Sequence, residues 1–152
     1  MENISQYIKV YYESWFRINN AYNIWAQTRG INYNTLFVLY EVYNNSINCT
    51  QRNICDNLIL PKQTVSTILD KLEKEEYVYR EINERDRRNK IVKLTIKGDM
   101  FASELLKELE KAEVEAYKNL SKEERYAITK GLYVFAKAIE KSFLKKEESD
   151  KT

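Results

Sequence analysis

The sequence predicts a mainly α-helical fold with one small β-hairpin. Only three glycines and one proline occur among 152 residues, so long helices with few interruptions are expected. Apolar residues recur at steps of three and four over most of the chain, which is the period of a helix. Residues 78–94 are the exception, because two β-rich runs there flank a polar turn.

The first helix is predicted over residues 4–27 from a heptad pattern, and Gly30 is expected to end it. The apolar positions of the pattern are Ile4, Ile8, Tyr11, Trp15, Ile18, Tyr22 and Trp25. This apolar seam is longer and more aromatic than a small domain readily covers. We therefore expect part of it to be buried against a second subunit; the alternative is a helix that packs entirely on its own chain.

Three shorter helices should follow. Asn32 is a suitable N-cap for a helix at about 33–45, Thr50 for one at about 51–58, and Pro61 fits the first turn of a fourth. Apolar side chains of the third and fourth helices are expected to point inward: Ile54, Cys55, Leu58, Val65, Ile68, Leu69 and Leu72.

Two strands and two long helices complete the prediction. The strands are Val78–Ile82 and Ile91–Leu94, and a fifth helix is expected at about 97–118. Ser121 and Glu124 have the spacing of a capping box that opens a sixth helix at about 122–145. Its inward positions would be Ile128, Leu132, Phe135 and Ile139, and the charged tail at 146–152 is expected to fray.

The composition excludes several classes of function. With no histidine and only Cys49 and Cys55, the chain cannot form a four-ligand Cys/His zinc site or use histidine as acid or base. No nucleophile motif or phosphate loop is present, so a small enzyme is a weak alternative and no cofactor is expected. The two cysteines lie six residues apart near one short helix, which disfavours a disulfide between them and favours a reducing compartment.

Neither a signal peptide nor an apolar run of about 18 residues is visible, so we expect a cytoplasmic protein with no membrane partner.

The fourth helix carries the first functional signal. Opposite its apolar stripe lie small polar and basic side chains: Lys62, Gln63, Thr64, Ser66, Thr67 and Lys71. The Gln63 amide is able to pair with adenine in a DNA major groove, and Lys62 suits a phosphate. An ordinary solvated helix face is the alternative, although such a face is more commonly rich in Glu and Lys.

The hairpin carries the second signal. Residues 80–97 contain seven Lys/Arg against three acidic residues. Five of these basic residues are candidates for DNA contact: Arg80, Arg85, Arg87, Arg88 and Lys90. Arginines at a rigid tip suit the narrow minor groove. Asp86 is expected to orient Arg87 or Arg88 through a carboxylate–guanidinium contact. The alternative is a solvated charge run.

These elements resemble the winged helix-turn-helix of the multiple-antibiotic-resistance regulator (MarR) family. The resemblance rests on Thr50-Gln51, Thr64-Val65-Ser66, Leu69-x-x-Leu72-Glu73, Tyr77-Val78-x-Arg80, Asp86-Arg87-Arg88 and Leu94-Thr95-x-x-Gly98, with support from Leu36-x-x-Leu39 and Leu120-Ser121-x-Glu123-Glu124. It covers about residues 10–143. Two departures stand out: Ile59 and Glu76 occupy positions where the family usually has glycine, and a positive φ there would cost about 1 kcal/mol per residue.

The resemblance implies a homodimeric transcription regulator that binds double-stranded DNA at a pseudo-palindromic operator. Residues 1–30 and 97–145 would form a dimerisation lobe and residues 31–96 a DNA-binding lobe. The family's wing-tip arginine falls on Arg87 or Arg88. Many members release DNA when a small, often phenolic, ligand binds between the lobes, and peroxide-sensing members use a cysteine in the first helix, where this chain has none.

Tyrosines and tryptophans could line an effector cavity beside the DNA-binding lobe: Tyr11, Tyr12, Trp15, Tyr22, Tyr40 and Tyr43. Aromatic stripes at helical spacing are more often core, so both interpretations stay open. Cys55 is expected to be a packed structural thiol, whereas Cys49, at a helix N-terminus, is a candidate for a lowered thiol pKa.

From the sequence we therefore expect a dimeric, ligand-responsive DNA-binding repressor without enzymatic activity. The main alternative is a helical protein-interaction module whose basic hairpin contacts an acidic partner.

Overall fold

A computed structural model describes residues 3–84, 86 and 88–149, the last five of them by backbone alone. In chain order the elements are α1 (Ile4–Gln27), α2 (Tyr33–Asn44), α3 (Gln51–Leu58), α4 (Lys62–Lys74), β1 (Val78–Glu81), β2 (Ile91–Leu94), α5 (Ile96–Lys118) and α6 (Lys122–Ser149). The predicted fold class, mainly helical with one hairpin, is confirmed. Contacts divide the chain into two units, Met1–Leu106 and Lys107–Thr152, while the predicted division into functional lobes stays a prediction.

The predicted N-caps are present and explain where the helices begin. Asn32 accepts the backbone N–H of Thr35 at 2.8 Å. Thr50 accepts the N–H of Asn53 at 3.1 Å, and Asn53 accepts the N–H of Thr50 at 3.0 Å, which completes a capping box. Pro61 differs slightly from expectation, because it occupies the N-cap position of α4 and Lys62 is the first helical residue.

Both corners around α4 require a left-handed backbone. Ile59, at the C-terminus of α3, has φ 52°, and Glu76, which precedes β1, has φ 61°. A Cβ is crowded by the following carbonyl in this region, so glycine is the residue that it favours. The two departures from the family pattern therefore fall on positions where the backbone is strained.

The core of the first unit forms around α2, α3, α4 and the hairpin. All four residues of the α4 stripe are buried, as predicted, and so are Leu36, Leu39, Ile54 and Val92 on the elements around it. The prediction was wrong in part for α3, where Ile54 is buried but Cys55 and Leu58 are only half-buried. The physical reason for Cys55 is that it lies in the wall of an open cleft, where no neighbouring element covers it fully.

The hairpin is anchored on the segment that starts α3. Its strands are antiparallel, with Val78 opposite Leu94 and Glu81 opposite Ile91. The Val92 N–H donates to the Cys49 carbonyl at 2.7 Å, and Thr50 forms an isolated bridge with Ile91. We define the wing as residues 78–94. These contacts fix its base to the beginning of α3.

Two helices expose much of their apolar surface. Of the 24 residues of α1 only Ala26 is buried. In α6 the expected inward positions are exposed in the single chain, from 36% for Phe135 to 53% for Leu132, and only Ile139 is half-buried. The prediction that they point inward is therefore wrong for Ile128, Leu132 and Phe135, because each keeps at least 36% of its surface exposed in the described part of the single chain. No helix in the described ranges is both long and apolar enough to cross a membrane.

Candidate nucleic-acid interface

The polar face of α4 is open to solvent. Lys62, Gln63, Thr67 and Lys71 are exposed, and Thr64 and Ser66 are half-buried. The Thr67 hydroxyl donates to the Gln63 carbonyl at 3.0 Å, and Lys71 lies 3.9 Å from Glu75. The Gln63 side chain, in the first turn, is thus presented outward by a helix whose opposite face is locked into the core.

Arg80 has a different role from the expected DNA contact. Its guanidinium forms an ion pair with Asp70 and lies 3.5 Å from Glu73, and only 17% of its side chain is exposed. Its buried Nε meets no hydrogen-bond acceptor among the described residues. Because both carboxylates belong to α4, Arg80 connects β1 to this helix, and it has little charge free for a phosphate.

Asp86 shapes the wing tip through hydrogen bonds of its carboxylate, and the expected contact with the Arg87 guanidinium falls on a residue outside the described ones. Its carboxylate accepts the backbone N–H of Arg88 at 3.1 Å and the Asn89 amide at 2.6 Å. These two hydrogen bonds, that from Asn89 being the larger cause, lower the pKa of the Asp86 carboxyl below its ordinary range. Among the described residues the donors to Asp86 are backbone and amide groups, and the Arg88 guanidinium is exposed and makes no contact with this carboxylate. Arg85 and Arg87 lie outside the described residues.

A basic cleft opens between α3, the start of α4 and the wing, with a volume of about 410 Å³. We define the basic cleft by its lining residues: Gln51, Arg52, Cys55, Lys62, Arg80, Arg88, Asn89, Lys90 and Val92. Gln51 and Arg52 were missed from the sequence. Only their position beside the hydrogen-bonded hairpin, which is a long-range contact, brings them to the predicted Lys62, Arg88 and Lys90.

Neither cysteine has the environment of a reactive thiol. Burial, with a smaller contribution from the Glu41 carboxylate, raises the pKa of Cys49 to about 12, so the expected lowering by the helix N-terminus is wrong. Cys55 is half-buried in the wall of the basic cleft, and partial desolvation, followed by Asp56, raises its pKa as well. Both thiols are free, in agreement with the prediction that they form no disulfide.

The six candidate effector aromatics fall into separate places. Tyr11, Tyr12 and Trp15 lie on the outer part of α1, with 5.4 Å between the Tyr11 and Tyr12 ring centroids. The ring centroids of Tyr22 and Tyr40 lie 5.7 and 6.5 Å from the ring centroid of Phe37. Tyr43 lines a separate cleft with Tyr79 and Met100. The effector site therefore stays a prediction. No group of three or more Cys, Asp or Glu within the described part of the chain is arranged to hold a metal ion.

Comparison with known proteins agrees with this architecture. Residues 29–89 match the sequence model of the MarR family. No curated protein matches the chain significantly.

Among solved structures, MepR of Staphylococcus aureus in complex with DNA is 21% identical, with a TM-score of 0.74 over 88% of this chain and 97% of that one. A MarR family regulator from Neisseria meningitidis is 24% identical, with a TM-score of 0.75 over 93% and 97%. A MarR family regulator from Listeria monocytogenes, complexed with a 26mer DNA, is 22% identical, with a TM-score of 0.70 over 95% and 93%.

The matched residues 29–89 include α2, α3, α4 and β1, whereas β2 lies just beyond the match. The family is one of transcription regulators and not of enzymes. Residues 29–89 are therefore similar in sequence to the MarR family, and over most of its length the chain has the fold of solved MarR-family regulators.

Proposed function

We propose that this regulator binds double-stranded DNA as a homodimer, with α4 in the major groove and the wing in the adjacent minor groove. The observation that carries the proposal is the orientation of α4. Val65, Ile68, Leu69 and Leu72 lock one face into the core, and the exposed face presents Gln63 and its polar neighbours to solvent. A helix held in this way offers hydrogen-bonding groups to base edges without losing its own packing.

Two of the similar structures support the choice of DNA as partner. MepR of Staphylococcus aureus and the Listeria monocytogenes regulator are both described in complex with DNA. The charge of the wing agrees with this choice, since Arg88 and Lys90 are exposed beside α4. The alternative, a protein-interaction module with a basic hairpin, would show no DNA affinity at moderate salt.

The homodimer is supported by the apolar surface that each terminal helix exposes. Nine large apolar residues of α1 are at least 45% exposed: Ile4, Tyr7, Ile8, Val10, Tyr12, Trp15, Phe16, Ile18 and Ile24. In α6, Tyr126, Leu132, Tyr133, Val134, Phe143 and Leu144 are more than half exposed. Contiguous apolar surface of this extent marks an interface, and a second copy of the chain supplies the same helices in symmetric form.

Selection of bound sequences from random duplex DNA tests the DNA proposal. We expect a two-fold symmetric consensus whose half-sites lie about 34 Å, or one helical turn, apart. Gln63→Ala should relax the preference at one base pair in each half-site, whereas Arg87→Ala should weaken binding to all sequences. A flat selection would count against sequence-specific regulation.

The salt dependence of binding separates phosphate contacts from other effects. Lys62→Gln and Arg88→Gln should each reduce the slope of log K against log salt, because each removes a positive charge that displaces counterions from DNA. Lys107→Gln removes the same charge from the second unit and should leave the slope unchanged. Equal slopes in all three variants would contradict the assigned contacts.

Sedimentation or light scattering tests the homodimer. Ile8→Glu, on α1, should shift the protein toward monomer, because a carboxylate is costly to bury in an apolar interface. Ile47→Glu is a matched control, since Ile47 is 80% exposed on the loop between α2 and α3. A wild-type protein that remains monomeric at micromolar concentration would refute the dimer.

We further propose that DNA binding represses transcription and that a small aromatic effector relieves it. The effector would favour a dimer in which the two α4 helices no longer match successive major grooves. Quenching of Trp15 and Trp25 fluorescence by phenolic compounds, with parallel loss of DNA binding, is the expected result. Effector binding that leaves DNA affinity unchanged would refute this mechanism.

A further inference from the structure

We infer that the basic cleft is a dedicated oxyanion site that takes one backbone phosphate of the DNA in each half-site, and that Arg52 on α3 is one of its ligands. This inference rests on the proposed DNA binding, and it adds a site and a contact residue that the α4 and wing assignments do not contain. It is carried by the charges that line the cleft, by the way its walls are fixed and by its place beside the surface that would meet DNA.

Cationic side chains enter the cleft from three elements. Arg52 comes from α3, Lys62 from the first turn of α4, and Arg88 and Lys90 from the wing. Lys62, Arg88 and Lys90 form no ion pair with any carboxylate in the described ranges. Arg52 Nε lies 3.7 Å from Asp56 in an exposed i, i+4 pair, which is a weak interaction that leaves the guanidinium available. The cleft is thus strongly positive.

One backbone and one side-chain hydrogen bond hold the cleft walls in place. The N–H of Val92 donates to the Cys49 carbonyl at 2.7 Å and so fixes the wing against the start of α3. The Gln51 amide donates to the Lys62 carbonyl at 3.3 Å and joins α3 to α4. Because the walls are fixed before a ligand arrives, the cations need little reorganisation to bind an anion.

Uncapped backbone N–H donors also lie at the start of α4, beside the cleft. Pro61, at the N-cap of α4, has no side chain that can accept a hydrogen bond, so it leaves the first-turn N–H groups of this helix uncapped. An anion in the cleft would accept from these first-turn N–H groups and would benefit from the positive end of the α4 dipole.

A DNA phosphate is the occupant that the surroundings favour. The cleft lies between the first turn of α4, where Gln63 would meet a base, and the wing that would enter the minor groove. The phosphate backbone separates the two grooves, so it must pass between these two elements. A free phosphorylated small molecule shares the same chemistry and is distinguished by the experiment.

Cys55 provides an internal reporter of the cleft, because its thiol lies in the wall. In a Cys49→Ala background, its reaction rate is measured with the dianionic disulfide dithiobis(nitrobenzoate) and with the neutral dithiodipyridine. We expect the ratio of anionic to neutral rates to fall at least threefold in Arg52→Gln and in Lys90→Gln, and to stay constant in Lys107→Gln. An unchanged ratio in Arg52→Gln would overturn the oxyanion site.

A second experiment tests whether the anion in the cleft is a DNA phosphate. Single uncharged methylphosphonate linkages are placed in turn along the selected operator, and affinity is measured for wild type and Arg52→Gln. One linkage in each half-site should cost wild type about five- to tenfold in affinity and cost Arg52→Gln much less, because the partner charge is already absent. If every linkage costs both proteins equally, or if free phosphate protects Cys55 while operator DNA does not, the DNA phosphate is overturned as the occupant. If no operator is selected, the proposed function fails, and the thiol ratio alone decides whether the cleft attracts anions.

Discussion

Arg80 on β1 forms an ion pair with Asp70 on α4, and this contact sets the wing against the helix that would read DNA. The pair is asymmetric, since 17% of the Arg80 side chain is exposed against 61% of that of Asp70. The arginine is therefore the packed partner, and its aliphatic stem covers apolar surface while its charged end is held by two carboxylates. The relationship makes Arg80 a positioning residue.

Arg80→Gln should lower DNA affinity without changing its salt dependence, because it disturbs the wing and removes no phosphate contact. The loss of packing should also destabilise the fold by about 1–2 kcal/mol. Chemical denaturation and binding at three salt concentrations measure both effects. Lys62→Gln is the contrasting variant, with a smaller salt slope and unchanged stability. A reduced slope in Arg80→Gln would return this residue to the set of DNA contacts.

Glycine at either strained corner should stabilise the protein. Ile59→Gly and Glu76→Gly should each raise the free energy of unfolding by about 1 kcal/mol, because the left-handed penalty exceeds the entropy that glycine adds to the unfolded chain. Ile59 is 88% exposed, so little packing is lost with its side chain. Glu75→Gly, at a residue with φ −83°, is the control and should destabilise. Urea denaturation that shows no difference between Glu75→Gly and Glu76→Gly would contradict this account.

Gly98 should tolerate no side chain. A Cβ at this position would lie 1.8 Å from the Tyr77 carbonyl oxygen and 2.7 Å from its carbon, and both belong to backbone that cannot move aside cheaply. Gly98→Ala should therefore cost more than about 3 kcal/mol or prevent folding. Gly131→Ala is the matched change in open space and should be neutral or better. Thermal unfolding of both variants tests the contrast.

The α6 capping box should make stability depend on acid pH. Glu124 accepts the N–H of Ser121 at 2.7 Å, and this bond, followed by that from the Ser121 side chain, lowers the Glu124 pKa. A lowered carboxyl pKa contributes stability that is present above the ordinary value of 4.5 and is lost as pH falls below it toward the folded-state pKa. Between pH 6 and 3 the melting temperature of Glu124→Gln should fall less than that of wild type. Parallel curves would show that the cap contributes nothing through ionisation.

The two thiols should differ sharply in reactivity. At pH 8 the half-buried Cys55 should react first, and Cys49, whose pKa is about 12, should react only when the protein opens. A raised thiol pKa contributes stability that is present below the ordinary value of 9.0 and is lost as pH rises toward 12, so Cys49→Ala should flatten the alkaline part of the stability curve. Thiol titration with and without denaturant measures the first effect. Rapid reaction of both thiols in folded protein would contradict the burial of Cys49.

Local signals in the sequence were sufficient to place the elements. Asn32, Thr50 and Ser121 sit where their helices begin, because a side-chain oxygen that caps the first turn is a short-range interaction encoded within four residues. The buried face of α4 was also predictable from the sequence. The spacing of Val65, Ile68, Leu69 and Leu72 places them on one side of a helix. The helix order and the hairpin followed from these signals.

Which charges are free, and which surfaces are covered, was decided by the tertiary structure alone. Arg80 and Arg88 look alike in the sequence, yet one is held by Asp70 and Glu73 and the other is exposed at the wing tip. Arg52 joins the basic cleft only because Val92 hydrogen-bonds to Cys49 across more than forty residues of chain. Sequence periodicity reports which face of a helix is apolar, but the partner of that face, or of a charge, depends on long-range contacts that no local pattern specifies.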